Sequence, residues 1–215
     1  MLTDLSLRYL LSVPSGRPDT DSMPLVIVIH GRGADANDLA DLAPLLDPPG
    51  GARFVFPNAP KPFEAYPGMS FGWTWFDGWP PNRESVSESR TILLRFLDEL
   101  TARYPTSALI VAGFSQGAMM SLDTGLRTTQ NVAGIVAMSG GLYEEDLPDL
   151  AAKSSVPVLI SHGSLDDVVP VNYARRARAA LEGKGFNVEY HEYPMAHQVV
   201  MEEIEVVKAF ITSHV

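Results

Sequence analysis

The chain contains no cysteine, which excludes disulfides, a thiol nucleophile and any thiolate metal site. Basic residues are scarce too, with 16 Lys and Arg against 26 Asp and Glu and a net charge of -10. A nucleic-acid partner is therefore not expected, because phosphate binding needs a basic surface to displace counterions. Electrostatic docking on anionic membranes is disfavoured on the same ground. Long hydrophobic runs are also missing: none approaches the roughly 20 residues of a membrane-spanning helix. The segment Met1 to Val13 has no basic leader, and Asp4, Ser6, Arg8 and Ser12 interrupt its apolar positions. It does not read as a signal peptide, so a cytoplasmic location is expected. No internal repeat, charge block or low-complexity tract divides the 215 residues. A single domain over residues 1–215 is expected.

What is present is an alternation of short apolar runs and helical patterns. Leu25-Val26-Ile27-Val28-Ile29, bounded by Pro24 and His30-Gly31, has the continuous apolarity of a strand buried on both faces. Similar runs recur at Arg53 to Phe56, Ala108 to Ala112, Val132 to Met138, Val156 to Ile160 and Val188 to Tyr193. Leu5 to Val13 partly alternates, as an edge strand does, and Pro14 to Pro24 reads as a turn-rich connection. Helical spacing marks Asp38 to Leu46, Glu84 to Tyr104, Val171 to Gly183 and Gln198 to Ser213. Strands alternating with helices predict an α/β fold with a mostly parallel sheet covered on both faces.

Residues 57–83 break the pattern. They are rich in Pro and Gly and hold Trp73, Trp75 and Trp79 with Phe63, Tyr66, Phe71 and Phe76. A long loop without secondary structure of its own is more often functional than accidental. An apolar acyl pocket or lid is expected there; the alternative is that the aromatics pin the loop to the core.

The chemistry begins at Gly113-Phe114-Ser115-Gln116-Gly117, which directly follows an apolar run and directly precedes the helix-prone Ala118 to Leu122. Strand, Gly-x-Ser-x-Gly turn and helix in that order describe a nucleophile elbow with Ser115 at its tip. A serine hydroxyl needs a positioned base. Of five histidines, His30 and His162 end apolar strands, His191 lies within a strand and His214 is next to the C-terminal residue. His197 follows the last strand and precedes the last helix, where a base is expected. Asp166 and Asp167, in the loop after the Val156 strand, are the candidates for the acid that orients the base. Nucleophile, acid and base in that chain order match an α/β-hydrolase. Each sits at a strand's carboxyl end, where open α/β sheets bind ligands. For the oxyanion hole, the expected donors are the N–H of Gln116 and that of Arg32, in His30-Gly31-Arg32-Gly33. Neither a His-x-x-x-His pair nor an acidic calcium loop is present, so no metal site and no cofactor are expected.

At this point the chain resembles the phospholipase/carboxylesterase family of α/β-hydrolases, which includes acyl-protein thioesterases and small bacterial carboxylesterases. The matching motifs are His30 to Asp35, Phe56 to Pro60, Trp75-Phe76-Asp77, Ala112 to Gly117, Pro157 to Gly163, Val169-Pro170 and His191 to His197. The resemblance implies Ser115 as nucleophile, His197 as base and Asp166 as acid, with Asp167 where members usually carry proline. It also implies that Trp75 and Phe76 lie near the acyl pocket, with Trp73 and Trp79 as further candidates. Two departures bear on substrate choice: Arg32 replaces an aliphatic residue, and the aromatic segment continues through Gly78 to Asn82. The expected activity is a serine carboxylesterase acting on small acyl esters, possible thioesters included, without a separate cap domain. A lysophospholipase or an acyl-protein thioesterase uses the same site. A silent ligand-binding relative would have lost part of the triad, and none is lost. The oligomeric state is left open, a homodimer included.

Overall fold

The computed structural model describes residues 1–13, 23–66, 68–143 and 153–215. Its frame is a seven-stranded sheet in the order β1-β3-β2-β6-β7-β8-β9. The strands are β1 (Tyr9–Ser12), β2 (Leu25–Ile29), β3 (Arg53–Pro57), β6 (Leu109–Phe114), β7 (Val132–Met138), β8 (Val158–Gly163) and β9 (Val188–Tyr193). β1 pairs antiparallel with β3, and every other pairing in this sheet is parallel.

The continuous apolar runs are explained by burial on both faces. In β2 all five residues are buried; Leu25, Ile27 and Ile29 point into one core, while Val26 and Val28 point into the other. β6 divides in the same way, with Leu109 and Val111 opposite Ile110 and Ala112. The first core is closed by α2 (Arg83–Arg103), α3 (Gln116–Gly125) and α4 (Asn172–Glu182), through residues such as Leu93, Phe96, Met120 and Ala177. The second is closed by α1 (Ala43–Leu46) and α5 (Met201–His214), through Leu46, Ile204, Val207 and Phe210. Burial of such a side chain contributes about 1.5–3 kcal/mol, so this two-sided packing rather than helix propensity holds the layers together. α2 starts where Asn82 accepts a hydrogen bond from Ser85 N–H at 3.0 Å, an N-cap worth about 1 kcal/mol.

Two expectations change in detail. The edge strand is shorter, Tyr9–Ser12 instead of Leu5 to Val13. The helix expected over Asp38 to Leu46 is a 3-10 turn at Ala40–Leu42 followed by a single α-helical turn, with Pro44 in its first turn. The turn-rich connection at Pro14 to Pro24 lies outside the described residues except at its last two positions.

The larger correction concerns residues 57–83, which were expected to form a loop without secondary structure. They contain an antiparallel hairpin, β4 (Lys61–Tyr66) and β5 (Met69–Thr74). Proline within a run argues against a strand, and Pro62 and Gly72 masked this one; the register shifts on both sides of Glu64 show how irregular the pairing is. The hairpin docks on the loop after β2, with Gly33 N–H donating to Trp73 O and Trp73 N–H donating to Ala34 O, both at 2.8 Å. Gly72 makes this approach possible: its φ is +68, and a Cβ there would collide with the Gly33 carbonyl. Among the described residues there is no separate cap layer, and no helix is long and apolar enough to cross a membrane.

Candidate active site

Ser115 sits between β6 and α3 with φ 58 and ψ -119, a left-handed conformation that costs a non-glycine residue on the order of 1–3 kcal/mol. The surroundings hold it there. Ser115 N–H donates to Met138 O at 2.9 Å, and Ser115 O accepts from Met119 N–H in the first turn of α3. Gly117 lies against β2 so closely that a Cβ would strike the Ile29 carbonyl. The tight elbow thus needs glycine for proximity, as the motif predicts.

His197 enters from the loop after β9. Its Nε2 is 2.9 Å from Ser115 Oγ, and its Nδ1 is 2.7 Å from Asp166 Oδ2. A carboxylate oxygen accepts, so Nδ1 carries the hydrogen and Nε2 is left to accept the serine proton. The ring packs on Phe114 with centroids 4.8 Å apart. Asp166 is held by the backbone of its own loop, since its Oδ1 accepts from Val168 N–H at 2.9 Å and Val169 N–H at 2.8 Å. Asp167 faces solvent. The Asp166 and His197 loops are stitched together by Ser164 N–H to Tyr193 O at 2.8 Å and Leu165 N–H to Met195 O at 3.1 Å. Three residues far apart in sequence are thereby fixed within a single relay.

The relay opens into a cavity of about 520 Å³ lined by Gly31, Arg32, Gly33, Ala34, Asp38, Gly78, Trp79, Phe114, Gln116, Met119, Val168 and Val169. Arg32 and Gln116 both reach it. Neither backbone N–H has a protein acceptor among the described residues, whereas Gly33 N–H is already bonded to Trp73 O. Gln116 is also the first residue of α3, whose positive end favours an anion there. The arrangement can deprotonate a hydroxyl and stabilise negative charge beside it.

The four aromatic candidates do not stay together. Trp79 lines the cavity, 45% exposed, and packs on Tyr173 of α4 with centroids 5.1 Å apart. Trp75 and Phe76 are buried to 0% and 1% and belong to the core beneath the site, outside the cavity lining. Trp73 lies half-buried under Arg8 beside a different groove. The backbone of this segment instead grips Gln116: Trp75 N–H donates to Gln116 Oε1 at 3.0 Å, and Gln116 Nε2 donates to Phe76 O at 2.8 Å. Thr74 Oγ1 lies 3.1 Å from the same Oε1. Thr74, Phe114, Met119, Val168 and Val169 were missed by sequence reasoning. Phe114, Val168 and Val169 could have been found from their nearness in the chain to Ser115 and Asp166; Thr74 carried no such signal.

Three of the remaining histidines have other partners. His30 is buried, accepts from Ala59 N–H at Nε2 and lies 2.6 Å from Gly31 O at Nδ1. Burial holds its pKa below the usual imidazole value. His191 pairs with Glu189 on the surface, and His214 contacts Phe210 O.

The sequence model of the phospholipase/carboxylesterase family matches residues 16–215. The chain belongs to this family of α/β-hydrolases. It is a carboxylic ester hydrolase. Acyl-protein thioesterase 1 of Mycosarcoma maydis is 33% identical over 213 residues, spanning 85% of this chain and 88% of that protein. The Neurospora crassa protein of the same name is 28% identical, spanning 98% of this chain and 94% of its own length. Among solved structures, esterase PE8 superposes with a TM-score of 0.83 at 32% identity and covers 99% of this chain and 100% of its own.

Proposed function

We propose that the protein is a serine carboxylesterase that cleaves small carboxylic acyl esters, and acyl thioesters, through an acyl-enzyme on Ser115. The observation that carries this reading is the continuous relay from Ser115 Oγ through His197 to Asp166, at 2.9 and 2.7 Å, opening on the cavity. Ser115 Oγ attacks the acyl carbon while its proton passes to His197 Nε2. The carbonyl oxygen becomes an oxyanion facing the Arg32 and Gln116 N–H groups. Asp166 stabilises the imidazolium, which returns the proton to the departing alkoxide or thiolate. Water then attacks the acyl-enzyme, His197 takes its proton, and collapse of the second oxyanion releases the acid and restores the serine hydroxyl.

Trp79, Phe114, Met119, Val168 and Val169 give the cavity an apolar wall suited to an acyl chain. Its volume lies in the range of small-molecule pockets. The relatives named acyl-protein thioesterase 1 support thioesters as a second substrate class. A panel of p-nitrophenyl esters of increasing length, one lysophospholipid and one acyl-thioester peptide, each run with wild type and Ser115→Ala, tests the reading. Hydrolysis of the esters by wild type alone is expected. Equal hydrolysis by the alanine variant would overturn it. A cytoplasmic location and a homodimer, carried over from the sequence, are checked by cell fractionation and light scattering.

A further inference from the structure

β8 ends in Ser161-His162-Gly163, and alternation along the strand sends Ser161 and His162 to opposite faces. The His162 side chain is fully buried, 0% exposed. Its Nε2 is 2.7 Å from Val169 O and 3.3 Å from Asp166 Oδ2. A carbonyl oxygen can only accept, so Nε2 carries the hydrogen. Nδ1 is buried and has no partner among the described residues. A proton there would be an unsatisfied buried donor, which costs more than a bare acceptor. The ring is therefore neutral, and burial, with the neighbouring His197 in support, depresses its pKa further from the charged form.

Two histidines thus stand beside one carboxylate oxygen, His197 Nδ1 bonded to it at 2.7 Å and His162 Nε2 3.3 Å away. Val169 is gripped twice, its N–H by Asp166 Oδ1 and its carbonyl by His162, which closes the acid loop into a ring beside the cavity wall. We propose that His162 is a positioning residue of the catalytic relay. Its neutral Nε2–H, which donates to Val169 O and lies 3.3 Å from Asp166 Oδ2, holds the acid loop beside the carboxylate and, as a nearby dipole, limits its pull on His197. A cation at this place would oppose the imidazolium that His197 must become; a neutral donor orients without that penalty. The titratable groups around the ring are Asp166 and His197 from the two loops, and Glu192 opposite it on β9. Glu192 is itself held by Arg175 of α4 and the Tyr190 hydroxyl.

The proposal rests on the serine-hydrolase reading, but one of its tests needs no turnover. Nitrogen NMR of the intact wild-type protein should show His162 as the Nε2–H tautomer, neutral throughout the pH range in which the enzyme is active. A His162 that is protonated within that range, or an Nδ1–H tautomer, would overturn the proposal whatever the activity. Kinetics supplies the second test. His162→Leu, which fills space without donating, should lower kcat by roughly ten- to a hundredfold, the scale of a small misplacement of reacting groups, with KM little changed. The acid limb of its kcat/KM profile should move to higher pH, because an Asp166 without the Nε2–H dipole 3.3 Å from its Oδ2 favours the His197 imidazolium. His162→Gln, which offers an amide N–H near the Nε2 position, should recover most of both losses. A folded leucine variant with wild-type turnover and profile, or a glutamine variant as impaired as leucine, would sink the idea. Should the leucine variant fail to fold, the glutamine variant and the tautomer decide.

Discussion

Trp75 N–H donates to Gln116 Oε1 at 3.0 Å, so the residue that follows Ser115 is anchored by the segment leaving the β4–β5 hairpin. The same hairpin is bonded through Trp73 to Gly33 and Ala34, beside Arg32. Both N–H groups assigned to the oxyanion are therefore set against one support. The Trp75 indole adds a further tie by donating to His30 O at 2.9 Å.

Gln116→Ala should expose the strength of this anchor. It keeps the residue's own N–H but leaves Trp75 N–H buried and unpaired, at a cost of about 1–3 kcal/mol in stability. Turnover should fall more than KM rises, because the displaced group is used in the transition state. Thermal denaturation and steady-state kinetics on one ester check both; unchanged kcat with a lowered melting temperature would confine the contact to folding.

Asp166 and Asp167 should separate sharply. Asp166→Asn presents an amide donor toward His197 and favours the wrong tautomer, a change that can cost about ten-thousandfold in turnover. Asp167 faces solvent, so Asp167→Asn should alter turnover less than about threefold, within the small effects usual for surface substitutions. Kinetics on the two purified variants settles the assignment, and comparable losses would contradict it.

The tryptophans should divide by location. Trp79→Ala opens the cavity wall and should change the kcat/KM ratio between short and long acyl esters, at about 1–3 kcal/mol per methylene gained or lost. Trp75→Ala empties a fully buried site and should destabilise the protein by roughly 3–5 kcal/mol, depressing all substrates together. A chain-length profile and a melting curve for each variant distinguish the two behaviours.

Stability should also carry a signature of Glu203. This fully buried carboxyl on α5 accepts from Ser161 Oγ at 2.6 Å, and burial pushes its pKa up to about 7 from the usual 4.5. The folded state then holds a proton that the unfolded chain releases. The associated stability is complete below about pH 4.5 and is lost as pH rises toward 7, on the order of 3 kcal/mol in all. Glu203→Gln should flatten that slope in denaturant titrations between those values. His30 and His162 act in the opposite direction, since their depressed pKa values remove stability as pH falls below about 6.5.

Much of this was legible from residue order. The β2 and β6 runs announced a doubly covered sheet because each residue of a parallel central strand is buried, whichever face it points to. Ser115, His197 and Asp166 could be named because each is tied to a strand end that the sequence marks. The β4–β5 hairpin was not legible: Pro62, Gly68 and Gly72 look like loop residues, and they serve an irregular pair of strands shaped by docking on the Gly33 loop. Trp75 and Phe76 were misplaced for a related reason. Aromatic content shows that a segment is apolar, but the facing of a side chain, toward cavity or core, is decided by packing partners distant in the chain. His162 looked like a strand-end histidine with a local partner, and only the folded loop brings Asp166 Oδ2 to its ring.

The stitching of the Asp166 and His197 loops places both residues on one piece of the frame, the β8–β9 end of the sheet. Ser115 belongs to another, the β6–α3 elbow, held to β7 through Met138 O. The two pieces meet at the β7–β8 seam, where Ser139 N–H donates to Ser161 O at 2.8 Å. The position of Ser115 Oγ against His197 Nε2 is therefore referred to the β7–β8 pairing of Ile135 to Met138 with Val158 to Ser161, residues whose side chains are not part of the relay.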